Sequence, residues 1–253
     1  MTGEDGAAVD LHLKVLDEAV VERAKARGLD AVVYAPHFTR WPAVRRRAER
    51  FSDDDLLVVP GRELFTGHWS DRRHVLALDL ETPVPDFLTF AGTMAELDRQ
   101  DATVLAPHPE FLNLGLEEDQ IRTYREQFRA VEVYNTKGYR RYDRRARAVA
   151  EAVDRPGFAS SYAHLRGSVG EAWTRFPGGV ETETDLLAAL AAGELVPVHR
   201  TGPAHRGRRA LELAHLGWEN SWGKLDRVFL SGTAPTHPGH VAYEGRFDDV
   251  RVY

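Results

Sequence analysis

Six short apolar runs along this chain each carry a histidine or glutamate at or just beyond one end, and that recurrence narrows the folds open to it. The first is Val9-Asp10-Leu11-His12-Leu13-Lys14, in which apolar residues alternate with polar ones. On a strand, residues two apart face the same side, so Asp10, His12 and Lys14 are expected opposite Val9, Leu11 and Leu13. Alone, such a run reads as an edge strand with one wet face. The others change its meaning. Asp30–Ala35 leads to His37, Leu56–Gly61 to Glu63, Ala102–Ala106 to His108 and Gly157–Ser161 to His164, while His74 opens the run to Leu78. A seventh run, Ala130–Tyr134, ends at Asn135.

Helical segments lie between these runs. Asp17–Arg27 carries Val20, Val21 and Ala24 on one side and is followed by Gly28 as a C-terminal stop. Pro42–Phe51, Thr93–Gln100, Gln120–Phe128, Arg140–Val153 and Asp185–Ala192 also read as helices. Strands alternating with helices predict a parallel sheet covered by helices. About seven strands favour a closed α/β barrel, whose strand C-termini converge on one mouth. The barrel is expected over residues 1–200, with a C-terminal helical extension and tail over 201–253. In that extension Arg206–Leu216 is a basic helix with Leu211, Leu213 and Ala214 as its apolar side. Trp218, Trp222 and Phe229 follow, then a tail rich in Gly, Pro and His.

Composition removes several chemistries. The chain has no cysteine, which excludes disulfides, thiolate zinc sites and a cysteine nucleophile, so a metal would need His, Asp or Glu. The formal charge of −6 gives no electrostatic reason to expect nucleic acid as a partner. No apolar stretch approaches a membrane span, and the acidic start Met1–Gly6 does not read as a signal peptide, so a cytoplasmic location is expected. No glycine-rich phosphate loop is found: Gly178-Gly179 follows Pro177 with no strand before it. The only lysines are Lys14, Lys25, Lys137 and Lys224, which makes one inside the first run worth noting.

Taken singly, a histidine at a strand end is an ordinary hydrogen-bonded loop residue. Taken together, His12, His37, Glu63, His74, His108 and His164 would reach one rim. Neutral imidazoles around one carboxylate suit Zn, Mn or Fe, whereas Mg and Ca prefer oxygen ligands. Asn135 would point to the same rim, as a substrate contact or as a turn former. Arg62 and Arg166 flank these positions and would clamp a phosphate, or serve at the surface.

The motifs Asp10-Leu11-His12, Pro60-Gly61-Arg62-Glu63, His74-Val75-Leu76, Ala106-Pro107-His108-Pro109 and Ser161-Tyr162-Ala163-His164, with Val169-Gly170 after them, resemble in order those of the PHP (polymerase and histidinol phosphatase) family. The resemblance runs over roughly the first 175 residues. It implies a distorted (β/α)7 barrel with a trinuclear metal site that hydrolyses phosphate esters. It also implies one complete metal site from Glu63, His74 and His108, with Glu63 bridging, and a second built on His37 and His164. His12 matches the first histidine of the opening His-x-His.

Three positions depart from that pattern: Lys14 replaces the second opening histidine, Tyr162 the aspartate of the closing motif, and Pro36 the aspartate before His37. Lys14 and Tyr162 stand where two ligands of one metal belong, so one or two ions are expected, not three. Lys14 would fill the charge niche of the missing ion, pairing with Glu63 or touching substrate phosphate; otherwise it is a solvated lysine at a strand end. Tyr162 would be a substrate contact or a rim aromatic. The expected activity is hydrolysis of a small phosphorylated substrate by metal-activated water, with Lys14 offsetting charge and His164 or His37 protonating the leaving group. A catalytically degenerate scaffold is the alternative, and an amidohydrolase-like barrel acting on a C–N bond, which lacks its opening His-x-His, is a third. Two roles are open for the extension: covering the mouth, or self-association into a homo-oligomer.

Overall fold

The computed structural model describes residues 6–68, 71–112, 114–218 and 235–252. Nine strands among them form one sheet, rolled into a nearly closed barrel. In chain order the elements are β1 (Ala7–Leu13), α1 (Glu18–Ala26), β2 (Ala31–Tyr34), α2 (Trp41–Phe51), β3 (Leu57–Thr66), β4 (Arg73–Leu78), α3 (Phe90–Arg99) and β5 (Thr103–Ala106). Then come α4 (Glu118–Thr123), β6 (Phe128–Tyr134), α5 (Arg140–Ala152), β7 (Gly157–Ala159), β8 (Ala172–Phe176), α6 (Glu183–Ala192), β9 (Val196–His199) and α7 (Pro203–Trp218). The sheet order is β7-β6-β5-β4-β3-β2-β1-β8-β9.

The expected βα alternation holds for β1–β2–β3 and β5–β6–β7, which pair in parallel. β4 departs from it. Only a short loop separates β3 from β4, and a strand that returns directly must run antiparallel to its neighbour. β8 also runs antiparallel, against β1. It was absent from the expected strands, yet it brings the two ends of the barrel together. The Thr174 hydroxyl of β8 accepts from the Ala159 N–H of β7 at 3.0 Å and donates to the Ala159 carbonyl at 2.8 Å. One side chain thus satisfies both backbone groups of Ala159 at the seam.

Alternation along the strands sorts side chains into two cores. Val9, Leu11, Val33, Val59, Leu76, Leu105, Ala130 and Phe158 pack in an inner cluster closed at one end by Leu186 and Leu190 of α6. Val32, Val58, Val75, Val104 and Val131 join an outer cluster with Val20 and Ala24 of α1, Val44 of α2 and Met94 of α3. Both faces of the strands are therefore dry, and the wet edge strand reading of the first run fails: Asp10 and His12 are fully buried. The pairing register of β1 also shifts between Asp10 and Leu13. Val9 and Leu11 lie in the inner cluster but Leu13 in the outer one, so Asp10 does not share a face with His12 and Lys14. A break in register re-aims the side chains that follow it, and here His12 and Lys14 turn toward the interior and meet Glu63.

In α7 the buried residues are His205, Glu212 and Leu216, while Leu211 is 63% exposed. The expected apolar side, Leu211–Leu213–Ala214, was misplaced, because a buried carboxylate with a polar partner reads in sequence like a solvated one. The segment 235–252 packs against the loop before α3: Asp86 N–H donates to the Thr236 carbonyl, Val252 N–H to that of Phe87, and Tyr243 and Phe247 are buried. Trp222 and Phe229 lie outside the described residues. Among the described residues no helix is long and apolar enough to cross a membrane.

Candidate metal centre

The inner parity of each strand continues past the apolar core toward the open end, and there it delivers polar side chains. On β3, Val59 is followed at steps of two by Gly61 and Glu63; on β4, Leu78 and Leu76 are preceded by His74; on β6, Ala130 is followed by Glu132. Gly61 is needed where it stands, since a Cβ would lie 2.9 Å from the Val33 side chain. Loops after β2 and β5 add His37 and His108.

Glu63 is the hub of this end. His108 Nε2 lies 2.8 Å and His74 Nδ1 3.1 Å from its Oε1, with His12 Nε2 at 3.5 Å. His37 Nε2 is 2.9 Å from Oε2, and the Lys14 ammonium forms a salt bridge with the same oxygen. Lys14 also donates to the Ala35 carbonyl at 2.5 Å, and its side chain is only 5% exposed. It is no solvated lysine.

Five nitrogens crowd a carboxylate that offers about four lone-pair sites. His74 Nδ1 and His108 Nε2 are 3.4 Å apart, so with Glu63 Oε1 they form a triangle of sides 2.8, 3.1 and 3.4 Å. Ligands at roughly 2.0–2.1 Å from a tetrahedral zinc lie about 3.3 Å from one another. His37, Glu63 and His74 form a second set, with donor atoms all within 4.8 Å of one another. His12 is buried with neither ring nitrogen in a hydrogen bond, as are His37 Nδ1, His74 Nε2 and His108 Nδ1. Unmet polar atoms in a dry interior are costly, and a divalent cation satisfies imidazole nitrogens directly. The donor set fits such an ion.

The electrostatics agree. Burial raises the cost of a charged Glu63, but Lys14 and the surrounding imidazoles outweigh it and hold the carboxyl well below its usual range. Burial pulls Lys14 down to about 8 despite the attraction of Glu63. Burial, reinforced by the Lys14 charge, keeps His37 well below 6.5, and burial brings His74 to about 4. Both imidazoles are therefore neutral near pH 7, the form that binds metal.

His164 sits beside this cluster, its ring 6.2 Å from that of His37. Tyr162 covers it, with ring centroids 4.5 Å from His12 and 5.1 Å from His108, and Lys137 Nζ lies 3.8 Å from the Tyr162 centroid. The other expected contacts are used elsewhere. Arg62 is buried in an ion pair with Asp86 at 3.0 Å and also donates to the Thr39 carbonyl at 2.5 Å. Arg166 pairs with Asp17 on the surface at 2.8 Å. Asn135 Oδ1 accepts the N–H groups of Lys137 and Gly138, and its Nδ2 donates to Glu132. Its turn-forming role is realised, and its amide has little left for a substrate.

Three buried acids were given no role in the sequence analysis. Glu132 accepts from the His108 N–H at 2.8 Å and from Ser160. A glutamate inside an otherwise apolar strand was the available signal. Asp10, pushed by burial up to about 7, accepts the Ser161 N–H at 2.9 Å. Glu212 reaches in from α7 to accept the Leu165 N–H at 2.9 Å and that of His164 at 3.4 Å. No sequence signal marked it.

The model of the PHP-associated family (PHP_C) matches residues 140–195, the stretch from α5 through β7 and β8 to α6. That match spans well under half of the chain and supports a PHP-type domain. A search of curated proteins found no match. Solved structures share the fold at low identity. PsfC from Pseudomonas syringae PB-5123 is 18% identical with a TM-score of 0.64, covering 85% of this chain and 99% of that one. An amidohydrolase from Chromobacterium violaceum, with bound sulfate and no metal, is 12% identical with a TM-score of 0.51, covering 65% of this chain and 90% of that one. Of the three positions that depart from the PHP pattern, Lys14 and Tyr162 stand together beside His12.

Proposed function

We propose that this chain is a metal-dependent hydrolase of the PHP type that cleaves a phosphate ester of a small substrate. The supporting observation is the Glu63–His74–His108 triangle, whose spacing is that of ligand atoms around one ion. Glu63, His74 and His108 would hold one metal, and His37 with Glu63 the edge of a second, so the complement is one or two ions. Bound there, the metal would polarise a phosphoryl oxygen and make hydroxide available near neutral pH.

The chain's own groups do the rest. The Lys14 ammonium carries positive charge where a third ion would sit, balancing Glu63 and facing charge that builds on the phosphoryl group. His164, at the rim and 8% exposed, would protonate the departing oxygen. Glu212 fixes the backbone that presents it. Tyr162 roofs His12 and limits water on that side. The test is metal analysis of the purified protein followed by hydrolysis of an aryl phosphate with added Mn, comparing wild type with His108→Ala. Bound metal and turnover that both fall in the variant support the proposal; no metal in the wild type overturns it. The buried Lys14–Glu63 pair favours a second reading, a scaffold in which lysine has replaced catalytic metal. Metal without turnover on any phosphate ester would favour that one.

A further inference from the structure

Away from the metal centre, α5 and α7 face each other across a groove of about 570 Å³ beside the end of β9. Arg140, Arg144 and Arg147 recur at i, i+4 and i+7 along α5, which puts them on one stripe. Arg206 and Arg209 recur at i, i+3 on α7, and all five line the groove together with Arg200. The concentration is notable in a chain whose formal charge is −6. Among the described residues, Arg140, Arg144, Arg147 and Arg206 make no salt bridge; elsewhere on the surface Arg122, Arg145 and Arg155 each make one. Asp143 is the one acidic side chain of the lining, and burial pushes its carboxyl up to about 6.

Like charges at helical spacing repel, and two such stripes facing across a concave surface repel further. The floor is preorganised. His199 stacks on Tyr134 with centroids 4.0 Å apart and planes 12° apart. The Tyr134 hydroxyl lies 2.7 Å from His205 Nε2, and His205 Nδ1 is held 2.8 Å from buried Glu171. A rigid floor with unpaired guanidinium groups around it matches the forked recognition of phosphate oxygens.

The geometry points to this groove as a binding site for a small anion carrying several phosphate groups, separate from the metal centre. It does not depend on hydrolysis. Inorganic tripolyphosphate, titrated calorimetrically into metal-free protein, is the probe. Wild type binds, with affinity falling as salt rises, because the contacts are exposed charges. Charge reversal of one arginine on each wall, Arg144→Glu with Arg206→Glu, weakens binding by about tenfold or more. The pair Arg45→Glu with Arg46→Glu on α2 makes the same change in net charge and leaves affinity within about twofold. His108→Ala, which tests the hydrolytic site, leaves tripolyphosphate binding intact, so the two proposals fail separately. No binding by wild type, or equal loss in both charge-reversal pairs, overturns the groove as a site.

Discussion

The Lys14 ammonium and the Glu63 carboxylate form a salt bridge sealed inside the mouth of the barrel, with side chains 5% and 0% exposed. Breaking one half of a buried pair costs about 3–5 kcal/mol, since the remaining charge is left alone in a dry site. Lys14→Met should therefore melt well below wild type in the absence of metal. A divalent cation can take over the neutralising role, so added Mn or Zn should raise the melting temperature of Lys14→Met more than that of wild type. Equal metal-induced shifts would show that Lys14 does not occupy a cation's place.

The same logic run in reverse gives a gain. Lys14→His with Tyr162→Asp supplies two ligands next to His12, whose ring nitrogens make no hydrogen bond. Tyr162 has φ +47°, a conformation that aspartate tolerates better than an aromatic side chain. Metal analysis should find more ion per chain in the double variant. An unchanged stoichiometry counts against His12 as a dormant ligand.

Arg62 carries structure. Its pair with Asp86 is buried on both sides, and Asp86 also accepts the Phe65 N–H at 2.8 Å and the Thr236 hydroxyl at 2.5 Å. Arg62→Ala should lower stability in urea by about 3–5 kcal/mol. Metal content of the folded fraction should stay at the wild-type level. Loss of metal with little loss of stability would place Arg62 back in the site.

Thr174→Val keeps the shape of the β7–β8 seam and removes its hydroxyl. The Ala159 N–H and carbonyl then lose the bonds that Thr174 makes to them. An unsatisfied buried group costs about 1–3 kcal/mol, so the variant should be less stable by that order. Amide exchange should quicken at Ala159 before the rest of the barrel. Uniform exchange would mean that the seam does not depend on this bond.

Asp143 gives a pH signature. Burial raises its carboxyl from 3.8 to about 6, with Arg209 and Arg147 opposing the shift. Between those values the folded chain holds a proton that the unfolded chain has released. Its contribution to stability is thus present below pH 3.8 and lost as pH rises through about 6. Asp143→Asn should flatten that part of the stability curve, measured by urea unfolding at several pH values. A curve parallel to wild type would remove Asp143 as its source.

The candidate metal residues could be named because each stands within, at or just beyond the end of an apolar run, and strand alternation is a local property. Parity could assign His74 and Glu63 a face of their strands, but His74, at the start of its run, reaches the same rim as Glu63 only because β4 runs antiparallel. Lys14 could be seen to break a motif, but whether it was wet or buried could not be read, since exposure depends on what closes over it. Arg62 and Arg166 shared one sequence environment, beside a candidate ligand. Only their distant partners, Asp86 and Asp17, separated a buried ion pair from a surface one.

The order of strands and helices, the absence of thiol chemistry and the strand-end imidazoles were set by sequence, because they need only neighbours along the chain. The register shift that turned His12 inward, the seam at Thr174 and the arrival of Glu212 from α7 were decided by tertiary structure. Each pairs residues far apart in the chain, and the energy that selects such pairs, burial with every polar group met, exists only once the barrel has closed.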